Sequence, residues 1–372
     1  MTKIAGVVCA LCFVIGAMGC KERSNPPPRR AVASVLDAGR ALVPDAQAAR
    51  PSRPGMVYIP GGAYRTGSTQ AEVDERCRTA RENVAALCAL NPTPGPGCLR
   101  SGAEDICQIA QRELPARTVV LAPFFIDQTE VTTTAFVTWL NSLSQDDLDI
   151  NHTRVLWLRS MQDEPIVAMA GSRRFARGSN QRTVPREYAG IDRQRGRFLV
   201  LPGFENMPVT HVYWSGANAY CQAQGKRLLR SDEWEAAARG SEGRRFPTGD
   251  QPPTCAMAHM LATYTFERCP GEGGPRPVES FAQDRSPFGV LNMAGNVGEW
   301  VAEPCIRPSE LLPPDQGGGV PNLREMPSFH RMYGGDRNLE AVAAASWSCA
   351  LGVGSGSGFR CAADVPTGHP DR

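Results

Sequence analysis

Ser286-Pro287-Phe288-Gly289-Val290-Leu291-Asn292-Met293-Ala294-Gly295-Asn296-Val297-Gly298-Glu299-Trp300-Val301 decides how the chain is read. Its apolar residues follow neither the helical nor the strand period, and Pro287 and three glycines break both. Phe288, Val290, Leu291, Val297 and Trp300 are nonetheless apolar enough to be buried. Irregular backbone in an interior leaves carbonyls without ladder partners, and something must satisfy them. Two solutions suit these residues. One is a glycine-rich turn closed by ordinary hydrogen bonds. The other is a hard cation such as Ca²⁺, held by the Asn292 amide oxygen, the Gly295 and Val297 carbonyls and the Glu299 carboxylate, an all-oxygen set.

Outward from this stretch, the N-terminus indicates a compartment. Lys3 precedes an apolar run from Ile4 to Ala17 that is too short to span a membrane comfortably. Ala17-Met18-Gly19-Cys20 then places small residues before a cysteine, which resembles a bacterial lipobox, with Ala17 where leucine is usual. Cleavage before Cys20 would leave a lipidated N-terminal cysteine; an ordinary signal peptide is the alternative. Lys21 follows where an aspartate would retain the protein at an inner membrane, so the expected address is the outer membrane of a Gram-negative cell. Residues 20–54 contain Pro26-Pro27-Pro28, many alanines and no aromatic residue, and read as a disordered tether.

Composition narrows the function classes. The 372 residues carry a net charge of +2, so no strong field favours nucleic acid. With 37 glycines and 31 prolines, much loop and little long regular structure is expected. Of 13 cysteines, Cys9 and Cys12 leave with the signal and Cys20 takes lipid. An even number remains in an exported chain, which implies disulfides, and no pair has zinc-finger spacing.

Folded sequence is expected over residues 55–365, with 366–372 as a tail. Met56 to Ile59 is a strand, and Ala63 to Ser68 its returning partner. Residues 69–114 form an insertion: helices over Ala71–Leu90 and Cys98–Gln111 flank a proline-glycine turn. Cys77 and Cys88 lie about 16 Å apart along one helix, and Cys98 and Cys107 about 13 Å along the other. Antiparallel packing therefore pairs Cys88 with Cys98 and Cys77 with Cys107. A buried strand spans Val119–Ile126, and a helix capped among Thr132, Thr133 and Thr134 covers Val131–Leu143. Residues 144–203 read as a surface excursion with one short strand at Arg197–Leu201. Val209–Trp214 is a strand, Ser215–Gly225 a helix, and Ser231–Arg239 a second helix with Ser231 as its N-cap. Cys255 and Cys269 suit a local disulfide. Arg331–Gly335 and Gly358–Cys361 read as the last paired strands.

These pieces, in order, resemble the formylglycine-generating enzyme (sulfatase-modifying factor) family. The resemblance is carried by Ile59-Pro60-Gly61-Gly62 with Gly67-Ser68, Phe125-Ile126-Asp127 with Glu130-Val131-Thr132, and Pro208-Val209 through Trp214. It continues through Ala219-Tyr220-Cys221, Gly225-Lys226-Arg227-Leu228, Glu233-Trp234-Glu235 and Ala237-Ala238-Arg239-Gly240. The central stretch, Gly334-Gly335 and Gly358-Phe359-Arg360 complete it. It implies an α+β, compact C-type-lectin-like fold with little regular secondary structure, here with the cysteine-rich hairpin added. It implies a calcium ion at Asn292, Gly295, Val297 and Glu299, although Gly298 replaces a usual tryptophan. It also implies a disulfide between Cys221 and Cys361. The family partner of Cys349 would sit at Ala238, which leaves Cys305 for Cys349.

The implied chemistry is different. Formylglycine-generating members oxidise a sulfatase cysteine with O₂ using two cysteines that hold Cu(I), an ion that prefers soft thiolates. The matching positions here are Leu339 and Ala344, so copper is not expected and no catalytic residue is assigned. Three readings follow. A non-catalytic binding or scaffold lipoprotein, partnered by a protein or envelope component, is favoured by the missing thiolates, the hairpin and the tether. The alternative is a metal-dependent oxidase of the same superfamily acting on a protein or small-molecule thiol. Relatives that use iron hold it with three histidines, and His152, His211, His259, His330 and His369 include no helical pair at ligand spacing. A rearranged formylglycine-generating oxidase would have only Cys349 near its site.

Overall fold

The computed structural model describes residues 51–89, 107–108, 110–150, 154–161, 164–169, 173–174, 182–183, 190–259, 275–304, 330–333, 347–350 and 357–366. The signal and tether expectations, Cys88, Cys98, Cys269, Cys305, Leu339 and Ala344 lie outside these residues or their described side chains. The fold is mixed, with a few helices among many short strands. In chain order the strands are β1 (Met56–Ile59), β2 (Gly62–Thr66), β3 (Arg117–Leu121), β4 (Phe124–Asp127), β5 (Leu148–Ile150), β6 (Val155–Leu158) and β7 (Glu164–Ala168). Then come β8 (Arg173–Arg174), β9 (Arg182–Thr183), β10 (Ile191–Gln194), β11 (Arg197–Val200), β12 (Arg227–Leu228) and β13 (Gly298–Pro304). The last are β14 (His330–Tyr333), β15 (Trp347–Ala350), β16 (Ser357–Gly358) and β17 (Cys361–Asp364). The helices are α1 (Gln70–Ala89), α2 (Thr133–Leu140), α3 (Trp214–Ala223) and α4 (Ser231–Arg239).

Two four-stranded sheets carry the structure, in the orders β1-β4-β17-β12 and β15-β14-β13-β16. The first joins the two ends of the folded sequence, because β1 and β17 both flank β4. Here the expected pairings change. β2 does not return along β1 but pairs with β3, with Gly62 opposite Leu121. The single strand expected over Val119–Ile126 is divided at Pro123, which has no N–H for a ladder, so its halves enter different sheets. The last segments do not pair with each other. β14 lies between β13 and β15, β16 runs parallel to β13, and β17 lies against β4 and β12.

Helix ends also shift for local reasons. Thr132 caps α2, its hydroxyl accepting from the Ala135 N–H at 3.2 Å. Ser231 is the first residue of α4 rather than its cap, because its hydroxyl and N–H both donate to Glu303 at 2.7 Å. Glu233 then reaches back to the Arg230 N–H at 2.9 Å. Residues 209–213 form no strand; Val212 makes one isolated bridge, to Val167, and Trp214 already begins α3.

The described part of 144–203 is built into the core. Leu148, Leu156, Leu158, Ile166, Val167, Ile191 and Phe198 pack with α2, α3 and Trp300. Each apolar run there is only a few residues long between polar connectors, which hides the period. A second cluster gathers Ile59, Tyr64, Phe124 and Ile126 with Trp234, Val290, Met293 and Val301, setting α4 on the central stretch. Cys221 and Cys361 form a disulfide that ties α3 to β17 across 140 residues of sequence.

Candidate functional site

The central stretch is irregular through Val297 and becomes strand β13 at Gly298. Its backbone partners come from elsewhere in the chain. The Leu291 N–H donates to Gln128 O at 2.8 Å, the Asn292 N–H to Asp284 O at 2.9 Å and the Asn296 N–H to His259 O at 2.8 Å. Asn292 and Asn296 take left-handed backbone angles, φ 61° and 69°, which asparagine tolerates better than most residues. Gly295 is required by space: a Cβ there would stand 2.4 Å from the His259 carbonyl oxygen.

Four charged side chains are buried around this loop. Glu130, Asp284, Glu299 and Arg360 are each no more than 2% exposed. Arg360 comes from the loop between β16 and β17 and uses its whole guanidinium. Its Nε donates to both oxygens of Glu299 at 2.9 and 2.8 Å, and its Nη2 to Glu299 at 2.5 Å and to Leu291 O at 2.9 Å. Its Nη1 reaches the Asp127 and Gln128 carbonyls at 3.3 and 3.2 Å. Glu299 also accepts from the Trp234 indole N–H at 2.7 Å. Glu130 accepts from the amides of Asn292 and Asn296 at 2.8 and 2.9 Å. Asp284 accepts from the Ala294 N–H at 3.0 Å.

The charges do not balance. Three carboxylates surround one guanidinium, a surplus of two negative charges in the interior when all are ionised. The titration reflects this. Desolvation, opposed by Arg360 and reinforced by Glu299, pushes the Glu130 carboxyl up to about 7. Desolvation, opposed by the Ala294 N–H and reinforced by Glu130, pushes Asp284 up to about 8.

Of the four expected calcium ligands, Asn292 carries the clearest sign of a cation. Its amide nitrogen donates to Glu130 and to Val278 O, while its Oδ1 is buried with no hydrogen-bond partner. A buried acceptor without a donor is costly, and a cation would satisfy it. The surplus negative charge points the same way. The Gly295 carbonyl accepts the Val297 N–H at 3.0 Å, which leaves it a second lone pair. Glu299 is already held by Arg360 and Trp234, and would reach a cation only by giving up one of those bonds. The donor-free Asn292 Oδ1 thus suits a hard cation, whereas Glu299 is fully engaged and, among the described residues, no three acidic, histidine or cysteine side chains are grouped to hold a metal.

Sequence reasoning named Asn292 and Glu299 but missed Glu130, Asp284, Asn296 and Arg360 as their partners. Glu130 and Arg360 were visible as motif residues, but their pairing across the chain was not. The cysteines are placed as follows. Cys221 is bonded to Cys361, and Cys255 is disulfide-bonded. Cys77 and Cys107 are brought together, but as two free, buried thiols.

Residues 42–365 match the sulfatase-modifying factor enzyme 1-like domain family. The formylglycine-generating enzyme of Streptomyces coelicolor is 29% identical over 276 residues, covering 69% of this chain and 83% of that protein. Serine/threonine-protein kinase Pkn1 of Chlamydia trachomatis is 28% identical over 269 residues; the match covers 68% of this chain and only 35% of the kinase. The protein named inactive C-alpha-formylglycine-generating enzyme 2 of Bos taurus is 38% identical over 98 residues, covering 26% of this chain and 32% of that one. The chain belongs to the sulfatase-modifying factor enzyme 1-like family.

Proposed function

We propose that the chain is a non-catalytic member of this family, an exported lipoprotein whose folded domain binds a protein or envelope partner. One sequence feature supports the reading: counted from Gly334-Gly335, the positions that the resemblance matches to the family's copper thiolates are Leu339 and Ala344, and neither side chain can ligate Cu(I). Gly298, where the resemblance would place a tryptophan, is a buried residue that begins β13. A relative whose printed name includes the word inactive supports the view that the fold is used without the reaction. Cys20, following Ala17-Met18-Gly19, is the proposed lipid attachment.

The proposed metal is calcium in a structural role. Asn292 Oδ1, the carbonyls of Gly295 and Val297, and Glu299 would hold it. It would neutralise the surplus charge of the buried cluster and fix the central loop, while Arg360 continues to clamp Glu299 to Leu291.

The test is elemental analysis of the domain from about Arg53 onward, expressed in an oxidising compartment, followed by oxygen uptake with a cysteine-containing peptide and Cu(I). Calcium without copper or iron, and no uptake, is the expected result. Stoichiometric copper or iron, or oxidation of the peptide, overturns the non-catalytic reading. Calcium that leaves the thermal midpoint unchanged overturns the metal assignment alone.

A further inference from the structure

The insertion holds a pair of groups that the proposed function does not use. Cys77, on α1, and Cys107, near the end of the returning segment, are both buried, at 7% and 1% exposure. Both are free thiols in the same buried cluster. Among the described residues they sit in a cluster of four buried side chains, completed by Val73 and Ala110, with Leu114 packed against it. Beside them Arg76 pairs with Glu113, both buried, and Glu113 also accepts from the Ser68 hydroxyl at 2.7 Å. Among the described residues around the thiols, α1 meets the rest of the insertion through one small apolar contact and one ion-pair network. A core of this size contributes little against chain entropy, so a covalent link here would add more than in the main domain.

We propose that Cys77 and Cys107 form a redox site: the dithiol described here is the reduced form, and a disulfide between the two sulfurs is the oxidised form. The reaction is thiol–disulfide exchange with a small external disulfide. The Cys77 and Cys107 S–H bonds and the oxidant S–S bond break, and one protein S–S bond forms. Two electrons pass to the oxidant, which leaves as two thiols carrying the two protons. The oxidised form fastens α1 to the segment that carries Glu113; the reduced form leaves the join to the contacts above. Burial and the neighbouring thiol push Cys77 up to about 12. The nucleophilic thiolate is therefore scarce in the folded protein, and exchange is slow once the insertion has closed.

The experiment uses the full-length chain, reduced, freed of reductant and then incubated with oxidised glutathione until the reaction stops. The protein is denatured without reductant, alkylated with iodoacetamide and mapped by mass spectrometry. The expected result is a Cys77–Cys107 linked peptide and alkylation of both residues lowered about tenfold relative to the reduced control. In Cys77→Ser the same protocol should return Cys107 as an alkylated thiol or as its mixed disulfide with glutathione, linked to no other cysteine of the chain. Because alkylation is read after denaturation, this arm does not require the variant to be fully stable. Two alkylated cysteines in the oxidised wild type, a link from either to a different cysteine, or a Cys107 linked to another cysteine of the chain in Cys77→Ser overturns the proposal.

Discussion

The central loop and the insertion solve opposite problems. The loop is irregular, so its backbone satisfies itself only in part, and its own Asn292, Asn296 and Glu299 and the adjacent Asp284 are joined by Glu130 and Arg360 from distant segments. The insertion begins with α1, twenty residues long, and near Cys77 its described residues bury a four-residue cluster. In this pair of regions the regular segment has the smaller buried cluster near it, and the irregular segment sits at the centre. A helix needs few outside partners to satisfy its hydrogen bonds. A buried loop needs many, and those partners are what fix it in place.

That contrast is open to measurement. The largest effect should follow Arg360→Met, which strips a buried carboxylate of its guanidinium. Breaking one side of such a pair costs about 3–5 kcal/mol, read as a shift of the urea midpoint. Adding Glu299→Gln should recover a large part, since both charges then leave together; no recovery would show that Arg360 acts through packing instead.

Next comes Glu233, a carboxylate with no exposure that Arg227 binds with two nitrogens at 2.7 and 2.8 Å and Arg230 with one at 2.7 Å. Desolvation raises its pKa, but hydrogen bonds from Arg227 and the Arg230 backbone outweigh this and hold it below its ordinary value. A depressed acid stabilises the fold above its unfolded pKa of about 4.3 and loses that contribution as pH falls through the folded value. Glu233→Gln should cost about 2–3 kcal/mol at neutral pH and flatten the acid limb of stability against pH. An unchanged acid limb would move that dependence elsewhere.

Gly295→Ala should cost about 1–3 kcal/mol, because the added methyl meets a backbone oxygen rather than a flexible side chain. It should also weaken calcium binding in a titration, since the loop must shift; unchanged affinity would detach the metal from the loop. The smallest effect should come from Val73→Ala in the insertion cluster, about 1–2 kcal/mol for the methyls removed. Hydrogen exchange should place that loss in α1 and leave the central loop unchanged. A loss spread over both regions would show that they unfold as one unit and would end the comparison.

Much of this was legible in the chain itself. The ordered motifs from Ile59 to Arg360 identify the family, and α1, α2, α3 and α4 follow from their apolar spacing and polar starts. Asn292 and Glu299 stood out because an amide and a carboxylate in an apolar, glycine-broken run need a reason to be there. Strand pairing was not legible. β2 and β1 are neighbours in sequence with a turn between them, yet β2 pairs with β3 and β1 with β4, and a period of two reports only which face is buried.

Sequence alone thus determined the family, the helices, the Cys221–Cys361 link through the resemblance, and the absence of thiolates at positions 339 and 344. These are properties of residue type and order. Only the tertiary structure decided that Glu130, Asp284, Glu299 and Arg360 share one buried site with unequal charge, and that Cys77 and Cys107 meet as thiols. Local patterns carry no record of which distant segments touch. Burial also changes what a charged or sulfur-bearing side chain does, and burial belongs to the fold.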